Sequence, residues 1–168
     1  MATIANGLVL TDGNIVVANG HGIDFGNASG SASGSTSALL NDYEEGTWTP
    51  TVNSGTIAIE TNSSKYIKVG NLVTAFTRIK SFSDNTGAND FIVKSLPFTI
   101  SANNPDANIG NAWGNSIGDH RSLFFYTSPN STQTLGYYGA SGNGFNQVFH
   151  SDFVSETDML IKLTYITS

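Results

Sequence analysis

A chain of 168 residues has room for one domain of ordinary size, or for a small domain plus an arm, which excludes two full domains. Charged residues make up 12% of it against a usual ~25%, and abundant Gly, Ser, Thr and Asn put solubility on hydroxyls and amides rather than on ions. A net charge of −6, with seven basic residues scattered along the sequence, argues against nucleic acid and anionic membranes as partners, and the absence of cysteine excludes disulfides and thiolate chemistry.

Residues 1–45 read as an extended N-terminal arm and linker, serving attachment or trimerisation. "GLVL", "NIVVA" and "GIDF" are three short extended pieces separated by the turn signals "TDG" and "NGHG". The first twenty residues lack the basic and apolar regions of a leader, and no later run is apolar enough for a membrane span, so the expectation is a protein made in a cytosol. Pieces this short cannot bury themselves. The set Leu8, Leu10, Ile15, Val16, Val17, Ile23 and Phe25 is therefore expected to be covered by other chains, as capsid or trimer contacts. From Gly26 to Ser37 the residues are small and polar, as in a linker. "TSALLNDYEEG" is expected to form one helical turn with a hydroxyl N-cap and Gly46 at C′.

Residues 46–168 carry a succession of strand signals, from "TWTPTV" and "TIAIET" through "KYIKVG", "NLVTAFTRIKSF", "DFIVKS" and "PFTIS" to "RSLFFYT", "TLGYYG", "NQVFH" and "DMLIKLTYIT". Asn, Gly, Asp and Pro clusters separate them at the spacing of an antiparallel β-sandwich. The last strand alternates, with Met159, Ile161, Leu163 and Tyr165 on one face and Lys162 and Thr164 on the other. In "SLFFYT" both faces are apolar, Leu123 and Phe125 against Phe124 and Tyr126. The second face needs a neighbouring sheet, a subunit, a ligand, or cover by one of two long loops, "SFSDNTGAND" and "SANNPDANIGNAWGNSIGDH".

Four constellations hold residue types capable of chemistry or recognition. "GNSIG" matches G-x-S-x-G, with Asp119 and His150 following in the order of an α/β-hydrolase, but the elbow needs a strand before it, a helix after it and a parallel sheet, so Ser116 reads as a loop residue. His21, His120 and His150 stand singly near acids without the convergent spacing of a zinc site, and neither metal nor cofactor is expected. Asp42, Glu44 and Glu45 lie together, whereas a glycosidase pair faces itself across a cleft of about 5 to 9 Å. They read as the polar entry to the domain, completed by Tyr43 and Trp48. Trp113, Tyr137, Tyr138 and Phe145 lie in or beside Gly-rich segments with amides nearby; core packing is the commoner fate of such rings, and glycan contact by loops carrying Trp113, Tyr137 or Tyr138 is the functional one. No catalytic residue is assigned.

"LLNDYEEGTWTPTV", then "YIKVGNLVTAFTRI", then "SLPFTIS" resemble a module at the tips of many tailed-phage fibres and spikes, and "GLVLTDGNIVVANGHGIDFG" looks like phage fibre sequence. The resemblance implies a jelly-roll-like β-sandwich, a homotrimer, a place on a virion and no enzymatic activity. Fibres carry the module behind a long shaft; here it begins about forty residues in. The expectation is therefore a trimeric capsid decoration, or cement, protein on the outer head surface, bound to the major capsid protein, with host-surface glycan contact through outward loops. The alternative is a receptor-binding tail fibre or tailspike tip joined to a tail or baseplate protein.

Overall fold

A computed structural model describes residues 13, 15–18, 21–25, 38–40, 42–103, 109–117, 123–139 and 144–167. The chain divides into two units, Met1–Asn41 and Asp42–Ser168.

In the first unit, β1 (Ile23–Asp24) pairs antiparallel with β2 (Leu39–Leu40), Ile23 opposite Leu40 and Asp24 opposite Leu39. The Phe25 amide donates to the Ala38 carbonyl at 2.8 Å and extends the ladder by one bond. Two strands of two residues cannot hold themselves together in water. Ile15, Val16, Val17, Ile23 and Phe25 are all exposed within this chain, as are Leu39 and Leu40. Leu8 and Leu10, expected in the same set, lie outside the described residues.

The second unit is all-β. Its strands are β3 (Tyr43–Thr47), β4 (Thr51–Val52), β5 (Ala58–Ile59), β6 (Lys65–Val69), β7 (Leu72–Lys80), β8 (Ile92–Lys94), β9 (Ile109–Asn115), β10 (Leu123–Thr127), β11 (Thr134–Gly139), β12 (Phe145–Gln147) and β13 (Asp158–Ile166). One 3-10 turn covers His150–Asp152. The eleven strands pair antiparallel throughout, in the order β3-β6-β7-β13-β9-β10-β11-β8-β4, with β12 added to β11 and β5 to β7. The first and last strands of that path are consecutive in the chain. Between β3 and β4 lie only Trp48, Thr49 and Pro50, so one stretch pairs with β6 at one end of the path and with β8 at the other.

Trp48 stands at this changeover and is buried, its indole N–H donating to the Phe76 carbonyl of β7 at 3.0 Å. Pro50, which has no amide to offer a ladder, falls where no ladder is needed. The helical turn expected over residues 36–46 is not seen among the described residues: Leu39–Leu40 is a strand, and Tyr43 to Thr47 are a strand in register with Val69 to Lys65. Cap chemistry is local, and pairing with β6 outweighs it.

The core follows from alternation. Along β13 Met159, Ile161, Leu163 and Tyr165 are buried, and along its neighbour β7 Val73, Ala75, Thr77 and Ile79 face the same way. Phe91 lies at the centre of an aromatic cluster, with ring centroids 5.7 Å from Phe82, 4.6 Å from Phe153, 6.1 Å from Phe125 and 5.7 Å from His150. The buried Tyr165 hydroxyl accepts from the Phe98 amide at 3.2 Å, and burial pushes its pKa well above the ordinary value.

Residues 109–115 were expected in a covering loop and instead form β9, a central strand between β13 and β10. Gly110 and Gly114, poor strand formers, face inward where larger neighbours leave no room. A Cβ on Gly110 would collide with Leu163, 2.9 Å from the Lys162 carbonyl and 3.2 Å from Phe125 Cβ.

Candidate functional site

No buried side-chain polar atom among the described residues lacks a hydrogen-bond partner, so nothing in the interior points to a ligand. His150 illustrates this. It is fully buried; Nδ1 lies 3.2 Å from the Asp84 carbonyl and Nε2 2.9 Å from Asn53 Oδ1, whose orientation is fixed by the Ile92 amide at 3.0 Å and by Asn53 Nδ2 donating to the Asp90 carbonyl at 2.8 Å. Ser54 donates to the Asp84 carboxylate, which it holds below the usual carboxylate range. His150 therefore braces the core, and both its ring nitrogens meet groups other than Ser116. Ser116 follows β9 at φ +57°, its carbonyl accepting from Thr157 Oγ1 at 2.6 Å. Asp119 and His120 lie outside the described residues, and no group of three His, Asp or Glu among those described is placed to share a metal.

The unusual surface is the other side of the sheet. Register aligns its outward side chains in rows. One row runs Tyr43, Val69, Leu72, Ile166 across β3, β6, β7 and β13; the next passes through Ile67, Thr74, Thr164, Ile109 and Tyr126; a third passes through Lys65, Phe76, Lys162, Asn111, Phe124 and Tyr137. Apolar side chains collect at both ends of these rows. At the β3–β7 end Tyr43, Ile67, Val69 and Leu72 are exposed. At the β9–β12 end Ile109 (67% exposed), Phe124, Tyr126 (48%) and Phe145 (70%) join Tyr137 around an apolar groove of about 380 Å³. No described loop covers it, so the second apolar face of β10 is open among the described residues.

Between the two ends lies a groove of mixed character, about 430 Å³. Leu160 lies in it with Arg78 and Trp113 directly across on either side, while Lys162, between Phe76 and Asn111, belongs to the adjoining row. Arg78 is forked onto Asp158, Nε to Oδ1 at 2.8 Å and Nη2 to Oδ2 at 2.6 Å, which holds the Asp158 carboxyl below the usual range. Lys80 bonds Glu60 and lowers its pKa similarly. Lys162 joins none of the three ion pairs among the described residues.

The residues singled out from the sequence are distributed by this geometry. Trp113 is 67% exposed and borders the mixed groove, on a strand rather than a loop. Tyr137 lines the apolar groove, and Tyr138 turns inward against the core with its hydroxyl accepting from Asn146 at 3.3 Å, so the three proposed glycan contacts do not form one site. In the entry motif Asp42 pairs with Lys68, Glu44 accepts from Tyr66, and Glu45 on the opposite face accepts from Tyr43 at 3.1 Å. These acids are used within their own chain. Arg78, Asn111 and Asn115 were not singled out from the sequence, and Lys162 only as a residue on the outer face of the last strand; for the two asparagines the period-two spacing of "NAWGN" was the available signal once that segment is known to be a strand. No family model, curated protein or solved structure matches the chain.

Proposed function

We propose that this chain is a non-enzymatic virion protein of a tailed phage, a homotrimeric β-sandwich that decorates the outer head surface and stabilises the shell against the major capsid protein. The observation that carries the reading is the outward sheet face, with separate apolar patches at its two ends, Tyr43/Val69/Leu72 and Ile109/Tyr126/Phe145. Two different patches on one subunit suit a heterologous contact, in which one end of each copy meets the other end of the next and a ring closes. The sandwich reading is supported by the changeover at Trp48, where one stretch of chain serves both ends of the strand path. The arm's exposed Ile15, Val16, Val17, Ile23 and Phe25 are the proposed docking elements, since they too need cover.

Light scattering at micromolar concentration tests the trimer, and the copy number on purified virions tests the location. Several hundred copies mean shell decoration; a few dozen mean the alternative, a tail fibre or tailspike tip for host adsorption. That alternative is favoured by the open indole of Trp113, the kind of surface that meets a host glycan.

A further inference from the structure

We infer that the mixed groove beside Trp113 is a binding site for a pyranose bearing an anionic substituent, a carboxylate or a phosphate. The inference rests on the glycan element of the reading above and not on virion location or trimer formation.

The first support is the outward side of β9. Asn111, Trp113 and Asn115 follow one another at period two and all are exposed, which places an amide on each side of an open indole. Neither amide bonds another described side chain or backbone group. An indole face accepts the CH face of a sugar ring, and amides donate to and accept from its hydroxyls, so this succession reads a saccharide rather than an apolar peptide.

The second support is charge. The basic residues look scattered in sequence, yet four of the seven, Lys65, Arg78, Lys80 and Lys162, stand on the outward side of β6, β7 and β13, with Phe76 and Leu160 among them. Glu60 and Asp158 neutralise Lys80 and Arg78. That leaves Lys65 and Lys162 without an anionic partner among the described residues, of which Lys162 lines the groove, and the Arg78 Nη1 outside the fork to Asp158. Lys162 is opposite Asn111 across the β13–β9 ladder, within one strand spacing of the amide–indole row. A neutral sugar would leave this ammonium with no role. An anionic one places its charge on Lys162 while its ring lies on Trp113, and the groove's ~430 Å³ falls in the range of small-molecule clefts, ~300–1,000 Å³.

The test is an array of defined oligosaccharides, neutral, uronic-acid-bearing and phosphate-bearing, with polyglutamate as an acidic control lacking a sugar, followed by fluorescence titration. Trp48 is buried and Trp113 exposed, so a ligand-induced change lost in Trp113→Phe reports this groove. The expected result is binding of one anionic sugar class that weakens about tenfold in Lys162→Gln by titration and about tenfold in Trp113→Ala on the array, the loss of a charge-assisted bond or of a stacking surface, with unchanged melting temperatures. The two anionic arms distinguish carboxylate from phosphate. Binding of neutral sugars alone, equal binding of polyglutamate, affinity unchanged in Lys162→Gln, or no bound sugar at all would each overturn the proposal, and none of these outcomes bears on the trimer or on copy number.

Discussion

Along β13 the inward side chains Met159, Ile161, Leu163 and Tyr165 are enclosed on all sides, while Leu160 and Lys162, one residue away, look onto an open face. The same contrast runs along β10, where Leu123 and Phe125 are buried and Phe124 and Tyr126 are not. Apolar residues occur on both sides, so hydrophobicity alone does not distinguish them. The inward side completes its packing within one chain, and every polar group it buries among the described residues is paired. Among the described residues the outward side leaves rings and an ammonium uncovered, and the contacts proposed above are placed there for that reason.

The sharpest way to break the inward side is Phe91→Ala, which removes the ring on which Phe82, Phe125, Phe153 and His150 converge. Denaturant melts should show a loss of about 3–5 kcal/mol. Next is Gly110→Ala, whose methyl has nowhere to go between Leu163 and Phe125. Overpacking there should cost about 1–3 kcal/mol by the same measurement, although the substitution improves strand propensity. Trp48→Phe keeps a ring at the β3–β4 changeover and removes the bond to the Phe76 carbonyl. A loss of about 1 kcal/mol is expected, and more for Trp48→Ala.

Acid titration probes the ion pairs around the mixed groove. Asp158 and Glu60 have pKa values lowered on folding by Arg78 and Lys80, so the folded state favours their charged forms. Their contribution is present above the ordinary carboxylate range near ~4 and is lost as pH falls through the lower folded values. Because both pairs are partly solvent-exposed, the drop in melting temperature below that pH should be small and should shrink further in Arg78→Met. The smallest effect on subunit stability, within about 0.5 kcal/mol, is expected for Phe145→Ser on the outward side. Its readout is mass by light scattering: on the proposed trimer a shift toward monomer is expected, and an unchanged mass would remove this patch from the proposed contact.

The strands richest in β-branched and aromatic residues were legible because alternation at period two survives any arrangement of the sheet, as β13 and β10 show. Residues 109–115 were not, since a segment of Gly and Asn reads as loop until Leu163 and Phe125 are known to fill the space over its glycines. Nor was the strand at Tyr43–Thr47, whose partner is some twenty residues downstream. In the sequence His150 is only a single histidine near an acid, because the groups that enclose it, Phe91, Phe153 and Asn53, come from separate parts of the chain. Trp113 was legible as a ring with amides beside it, but Leu160 and Arg78 in its own row and Lys162 in the adjoining one are a product of pairing that no local pattern encodes.

The position of β13 in the strand order has a consequence for biosynthesis. It lies between β7 and β9 and pairs with both along most of its length, yet it comes after every other strand in the chain. Until it leaves the ribosome, β7 and β9 each carry an unsatisfied edge. The nascent chain therefore passes through a period in which two adhesive edges are open on every copy, and on a crowded polysome those edges can join neighbouring chains as readily as they await their own partner. A cell that makes this protein in quantity has to keep nascent copies apart until β13 arrives.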